Sequence, residues 1–130
     1  MVKTMISHIG IEITDIGDNF LCGKMPVDER TIQPYGLLHG GASVAFAETL
    51  GSIAAGIKVH SDKEVVGIEV NANHIKSVNS GWVYGKATAI RVGKKVQIWD
   101  IRILNDDKEL VCVSRLTLNI IKKLHHIEKV

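Results

Sequence analysis

The hydrophobic and polar positions of this chain follow the period of a helix in one stretch and the period of a strand in most others. Between residues 40 and 57, apolar side chains recur three or four positions apart, and the positions between them are mostly small. This pattern predicts a helix that is apolar on all sides and therefore buried, ending between residues 56 and 61. Glu48 is its one charge, and together with Thr49 and Ser52 it interrupts the run too much for a membrane span.

Period-two alternation predicts six strands, at residues 9–16, 20–27, 65–75, 81–92, 96–104 and 110–121. Turn-forming residues at 17–19, 93–95 and 105–108 separate neighbouring strands, so the last four strands should form an antiparallel meander. The expected fold is α+β, with a curved antiparallel sheet around the long central helix and a partner subunit covering the rest. One domain should span residues 1–130, with its core at about 9–121 and a polar tail at 122–130.

Composition excludes several classes of function. The chain has 130 residues, of which 45% are hydrophobic, which is enough for the core of one domain. Its net charge of +2 is too small, and its basic residues are too scattered, to indicate a nucleic-acid partner. Cys22 and Cys112 lack the spacing of a zinc site or a disulfide framework, so reduced thiols in a cytoplasmic protein are expected. The N-terminus has no apolar segment of the signal-peptide kind, so no export is expected.

The start of the central helix and the carboxylate within it are the candidate chemical groups. At His39, Gly40 and Gly41 the backbone N–H groups lack intrahelical partners and suit an oxyanion or a polarised carbonyl oxygen, although the glycines could simply ease a tight turn. Glu48 could act as a general base or as a nucleophile, or it could be a structural carboxylate held by polar partners. Ser52 lies at i+4 on the same face and could bond to it, or could be an ordinary helix serine.

Other polar residues are less specific. His39 and His74 lack the neighbours of a metal site, and no G-x-S-x-G motif indicates a serine hydrolase, so no metal is expected. Each of Lys76, Arg91, Lys94 and Lys95 can be read as a solvated surface residue. Together the four could form a rim that binds the phosphates of a nucleotide-bearing substrate, and for this reason a CoA substrate is preferred to a carrier protein.

A set of short motifs gives the chain a specific resemblance from about residue 9 to residue 121. The motifs are Met25-Pro26-Val27-Asp28, Arg30-Thr31, Gln33-Pro34, Gly36-Leu37-Leu38-His39-Gly40-Gly41, Glu48, Gly51-Ser52, Val66-Gly67, Asn71-Ala72-Asn73-His74 and Ser114-Arg115-Leu116-Thr117. In this order they resemble the hot-dog-fold acyl-CoA thioesterases, and most closely the 4-hydroxybenzoyl-CoA and 1,4-dihydroxy-2-naphthoyl-CoA group that includes the enterobactin proofreading enzyme. The resemblance implies a hot-dog fold and hydrolysis of acyl- or aroyl-CoA thioesters.

The resemblance also implies roles for individual residues. Glu48 matches the carboxylate that attacks the thioester or activates water, and Gly40 matches the backbone N–H that polarises its carbonyl. Gln33 and His39 match residues that orient substrate or water and favour the departing thiolate, and Ser52 matches a polar residue one turn beyond the carboxylate. The residues that match CoA contacts are Gly67, His74, Ile75, Lys76, Ser77, Arg91, Val92, Gly93, Lys94, Lys95 and Val96. CoA is part of the substrate, and no separate cofactor is expected.

In this family the active site lies across a dimer interface, with the carboxylate from one subunit and the Gln33 loop from the other, and dimers pair into tetramers. The sequence departs from its relatives by lacking most of an N-terminal helix and by a basic tail that carries His125 and His126. Two alternatives stay open: a hot-dog dehydratase or hydratase acting on acyl thioesters, and a non-catalytic acyl-CoA-binding protein. The acyl group, CoA versus an acyl-carrier protein, and the nucleophile or general-base role of Glu48 also stay open.

Overall fold

The computed structural model describes residues 3–123 of the chain. In this range, a short helix precedes a two-stranded segment, a long helix follows, and four further strands complete the domain. The elements are α1 (Met5–His8), β1 (Glu12–Gly17), β2 (Phe20–Pro26), α2 (Gly40–Ile57), β3 (Lys63–His74), β4 (Trp82–Val92), β5 (Val96–Leu104) and β6 (Leu110–Lys122). The predicted α+β class is therefore confirmed.

The strands form one antiparallel sheet in the order β1-β2-β4-β5-β6-β3. The predicted four-stranded meander is wrong for its first member, because β3 pairs with β6 and only β4, β5 and β6 follow one another. After β3 the chain crosses to β2: Val78 accepts a hydrogen bond from Leu38, and Gly81 accepts one from Val27. Alternation along a strand does not encode this crossover, since it specifies which face is apolar and not which strand is the neighbour.

Helix α2 packs along one face of this sheet. Its buried residues are Ser43, Phe46, Ala47, Leu50, Gly51, Ala54 and Ala55. Two glycines let the layers approach closely: a Cβ on Gly51 would lie 2.6 Å from Leu116 Cδ2, and one on Gly85 would lie 2.5 Å from Leu50 Cδ1. The remaining faces of α2 are half-buried or exposed, and Ile57 is 53% exposed. Residues 3–123 of one chain thus cover the helix on one side only.

A buried polar pair holds the C-terminal end of α2 to the sheet. The Gln97 side chain is fully buried, and its Nε2 donates to the backbone oxygen of Ala55 at 3.2 Å. Its Oε1 accepts a hydrogen bond of 2.8 Å from Trp99 Nε1. Both halves of the carboxamide are therefore satisfied in the core, as buried amides generally must be.

Both ends of the chain differ from the predicted boundaries. Residues 5–8 form α1, which is too short to show a helical period, and Ile9 caps this helix, so β1 begins at Glu12 and not at residue 9. Lys122, assigned to the polar tail, is the last residue of β6. His125 and His126 lie outside the described residues. Within residues 3–123, no helix has both the length and the apolarity that crossing a membrane requires.

Candidate active site

The first turn of α2 leaves one backbone donor unused. His39 is the N-cap, and its Nδ1 accepts a hydrogen bond of 2.8 Å from the Gly41 N–H. The carbonyl of His39 accepts bonds from Ala42 and Ser43, at 3.0 and 3.2 Å. Within residues 3–123 the N–H of Gly40 makes no hydrogen bond. The positive end of the helix dipole therefore carries a single free donor, and this donor suits an oxyanion.

This free N–H belongs to the wall of a cavity of about 370 Å³. The lining residues are Gln33, Leu37, Leu38, Gly40, Ser43, His74, Ile75, Lys76, Ser77 and Val111. Six of them are candidate site residues from the sequence. Ser43 was missed, although its position one helical turn after Gly40 places it on the same face. Leu37, Leu38 and Val111 carry no chemical signal and come to the cavity through the fold.

The Gln33 loop presents a defined end of its carboxamide. Gln33 Oε1 accepts the backbone N–H groups of Tyr35 and Leu37. Gly36 closes the loop with φ of +81°, a left-handed conformation that favours glycine. Because the oxygen is engaged within the loop, the Nε2 amide is the group of Gln33 available as a donor to another molecule.

Both glycines at the helix start have a histidine side chain close to the position of a Cβ. Neither Gly40 nor Gly41 has a positive φ, so turn geometry does not demand glycine at these positions. A Cβ on Gly40 would lie 3.1 Å from His74 Nε2, and one on Gly41 would lie 2.9 Å from His39 Cε1. The interpretation that the glycines merely ease a turn is therefore not needed. They let two imidazoles pack against the helix start.

Glu48 lies on the edge of α2 that faces β3. Its side chain is half-buried rather than fully buried as expected, since only one side of the helix is covered. A Cβ on Gly67 would lie 2.9 Å from Glu48 Oε2, so the glycine leaves the room that this carboxylate occupies. Within residues 3–123 the carboxylate makes no hydrogen bond or ion pair, and Ser52, one turn further on, does not contact it by a hydrogen bond.

Within one chain, the carboxylate of Glu48 and the free N–H of Gly40 belong to different turns of α2. Gly40 and Glu48 are eight residues apart on one helix, which corresponds to about 12 Å of rise. Their neighbours on β3, His74 and Gly67, are seven residues apart, or roughly 20 Å along the strand. Groups that act on one carbonyl carbon must each lie within about 3 Å of the reacting atoms. Within a single chain the two candidate groups are therefore more than one helical turn apart.

The second predicted group of CoA contacts lies at the other end of α2. Arg91 and Val92 end β4, Gly93 to Lys95 form the following turn, and Val96 begins β5. A cavity of about 450 Å³ is found there, lined by Lys58, Val59, His60, Lys63, Gly93, Lys94 and Ile120. Lys58, His60 and Lys63 were not among the predicted site residues, and their signal is the cluster of basic residues directly after the helix. The structure thus separates Arg91–Val96 from His74–Ser77 by about the 27 Å length of α2.

The two cysteines do not have the environment of nucleophilic thiols. Cys22 and Cys112 are free, and burial raises the pKa of both thiols, so neither has the lowered pKa of a nucleophilic cysteine. In the part of the chain that the structure describes, no three side chains of the metal-binding types gather.

Comparison with known proteins identifies the family of the chain. The sequence profile of the thioesterase superfamily matches residues 35–112, which include the helix start, α2 and His74. The chain is a member of the thioesterase superfamily. It is similar to the 1,4-dihydroxy-2-naphthoyl-CoA hydrolase of Escherichia coli K12, with 44% identity over 90% of this chain and 86% of that protein. It is also similar to the proofreading thioesterase EntH of Cronobacter turicensis, with 46% identity over 89% of this chain and 85% of that protein.

Solved structures of thioesterases share the fold. The crystal structure of a thioesterase from Haemophilus influenzae matches with a TM-score of 0.91 and 49% identity, over 95% of this chain and 86% of that chain. The predicted hot-dog fold and the predicted thioesterase activity are thereby confirmed at the level of the family. This thioesterase is a thioester hydrolase, and the roles of its individual residues stay predictions.

Proposed function

We propose that this thioesterase hydrolyses acyl- or aroyl-CoA thioesters to the free acid and CoA. The observation that carries the proposal is the free N–H of Gly40 on the wall of the cavity that also holds Gln33 and His74. The substrate class is supported by the names of two relatives, one a naphthoyl-CoA hydrolase and one a proofreading thioesterase. It is also supported by the basic cavity at the far end of α2, because CoA carries phosphates that a carrier protein does not expose.

In the proposed reaction, the thioester oxygen accepts the hydrogen bond of the Gly40 N–H. Glu48 either attacks the carbonyl carbon itself or takes a proton from a water that attacks it. The carbonyl π electrons move to the oxygen, and the tetrahedral intermediate then expels the thiolate of CoA. If an acyl-glutamate forms, a water hydrolyses it and regenerates the carboxylate. A thioester is already activated, so the proposed reaction needs no metal and no separate cofactor.

The spacing along α2 leads us to place each active site between two subunits. Glu48 of one chain would act on a carbonyl held by Gly40 and the Gln33 loop of another. The outer edge of β3 offers a surface for such pairing, because β3 pairs with β6 on one side only and exposes Val66 and Ile68, at 42% and 54%. We propose a homodimer that pairs into a homotetramer. For its location we propose the cytoplasm, whose reducing conditions suit the free thiols of Cys22 and Cys112.

A subunit-mixing experiment tests this function and the shared site together. Glu48→Gln removes the carboxylate, and Gly40→Pro removes the N–H at the first helical position, where proline fits the backbone. Gly40→Ala is the matched control, because it adds a Cβ at the same place and keeps the N–H. Each of the two test variants should lower kcat on benzoyl-CoA by at least about 10². CoA release is followed with a thiol reagent, and circular dichroism checks the fold.

Mixed subunits give the decisive result. After the two inactive variants are unfolded together and refolded, half of randomly formed dimers are mixed, and each mixed dimer contains one intact site. The sample should regain about one quarter of wild-type activity. Activity that stays at the level of the separate variants would contradict the shared site. A wild-type protein that changes the acyl chain without releasing thiol, or that binds CoA thioesters without turnover, would contradict the hydrolase.

A further inference from the structure

The imidazole of His74 lies against the helix start that carries the free donor. We propose that His74 is a catalytic residue: its Nε2–H donates a second hydrogen bond to the thioester carbonyl oxygen, beside the N–H of Gly40. The inference rests on the proposed function and adds a group to it. The sequence resemblance assigned His74 to CoA contacts, whereas the contact with Gly40 places its ring at the reacting end of the substrate.

The distances allow one oxygen to bridge both donors. Nε2 of His74 lies 3.1 Å from the position of a Cβ on Gly40. This Cβ position is about 2.5 Å from the Gly40 nitrogen by standard geometry, so the two nitrogens are at most about 5.6 Å apart. An oxygen that accepts two bonds of about 2.9 Å along its two lone-pair directions, about 120° apart, brings the donor nitrogens to about 5.0 Å. This separation lies within the limit of about 5.6 Å, so one carbonyl oxygen can accept from both donors.

The fold fixes the direction of the ring. His74 is the last residue of β3 and pairs directly with Cys112 of β6, which is fully buried on the face that carries α2. Side chains of directly paired residues point to the same face of a sheet, so His74 points towards the helix. The ring lines the same cavity as Gly40 and Ser43. Within residues 3–123, His74 makes no side-chain hydrogen bond, so its N–H is available to a ligand.

The requirement for glycine at position 40 follows from the same contact. A methyl group there would lie 3.1 Å from the ring, so the ring would have to move by a few tenths of an ångström. In the proposed step the carbonyl oxygen gains negative charge as the nucleophile adds, and both donors shorten their hydrogen bonds to it. His74 keeps its proton throughout, and the electron pair returns to re-form the carbonyl when the thiolate leaves. Two donors aimed at one oxygen stabilise the transition state more than the ground state.

Substitutions at His74 test the role. His74→Phe keeps an aromatic ring and removes the N–H. His74→Gln keeps an N–H donor on a side chain that reaches less far. His74→Phe should lower kcat on benzoyl-CoA by about 10² with little change in KM, and His74→Gln should recover part of the loss. His8→Phe, at an exposed position in α1, is the matched control and should leave the rate unchanged. Thermal unfolding shows whether each variant keeps the native fold.

A thioester with a better leaving group shows whether His74 donates its hydrogen bond to the carbonyl oxygen or to the departing thiolate. The loss caused by His74→Phe should be the same for benzoyl-CoA and for the benzoyl thioester of 4-nitrothiophenol, whose thiolate leaves without assistance. A loss that disappears with the nitrothiophenol ester would overturn the assignment to the carbonyl oxygen. A folded His74→Phe variant with wild-type kcat would overturn any catalytic role. If the wild type itself released no thiol from either ester, the proposed function would fail instead.

Discussion

Replacing Gly67 by alanine should lower activity without weakening the fold. The added Cβ would lie 2.9 Å from Glu48 Oε2, while ordinary contacts begin at 3.4 Å, so the carboxylate must retreat by about 0.5 Å. A displacement of about 1 Å at a catalytic group can cost about 10² in rate. Half of that displacement should therefore cost about tenfold in kcat. The other neighbour, Leu116 Cδ1 at 3.6 Å, is at an ordinary distance and need not move.

The stability of this variant should change in the opposite direction. Gly67 does not have a positive φ, so alanine can adopt its backbone conformation. Replacing glycine at such a position stabilises by about 0.4–1 kcal/mol, because the unfolded chain has less freedom to lose. Gly56→Ala is the matched control: nothing lies within 4 Å of its added Cβ, and alanine favours the helix by about 1 kcal/mol. This control should gain stability and keep its rate.

Initial rates of CoA release and urea unfolding measure the two effects. The kinetic constants also separate two roles of Gly67, since the sequence resemblance made it a CoA contact. A lower kcat with unchanged KM indicates a displaced carboxylate, whereas a higher KM with unchanged kcat indicates lost substrate binding. If Gly67→Ala is folded and has wild-type kcat, the room left by this glycine does not position Glu48, and the reasoning is wrong.

Two further predictions concern the core. Gln97→Leu leaves the Trp99 N–H and the backbone oxygen of Ala55 without their hydrogen-bond partner in a buried site. The free energy of unfolding, measured with urea, should therefore fall by about 1–3 kcal/mol, and an unchanged midpoint would contradict this. Because burial raises the pKa of the Cys22 and Cys112 thiols, the native protein should react with a thiol reagent far more slowly than the unfolded chain. The raised thiol pKa values also stabilise the fold below the pKa of the unfolded thiols, and this stabilisation should be lost as the pH rises through the thiol pKa values of the folded protein. Equal labelling rates in native and unfolded protein would refute the shift.

Much of the fold could be predicted because each element has a strong local signal. The bounds of α2 and β5 agree with the apolar pattern, and the turn residues mark the hairpin between β4 and β5. The position of β3 beside β6 could not be predicted, because the crossover after His74 is held by backbone hydrogen bonds that any sequence could make. The short helix α1 has too few residues to show a period.

The residues of the candidate site were identified from the sequence, whereas some of the contacts between them were not. The helix start at Gly40, the loop at Gln33 and the segment from His74 to Ser77 were each identified, and the fold brings them to one cavity. What the sequence could not reveal is that His74 contacts Gly40, since the two residues are 34 positions apart, at the start of α2 and the end of β3. The crossover after His74 decides that Arg91 to Val96 lie at the opposite end of α2, far from this cavity in one chain.

The spacing of eight residues between Gly40 and Glu48 has a consequence for assembly. Helix rise is fixed by backbone hydrogen bonds, so no change of side-chain conformation closes a gap of about 12 Å. Even a glutamate that leans towards the N-terminus leaves roughly half of that distance. A spacing of three or four residues would place both groups on one turn and would suit a monomeric enzyme. The spacing therefore favours the shared site that we propose, in which the half-buried Glu48 acts beside the Gly40 N–H of another subunit.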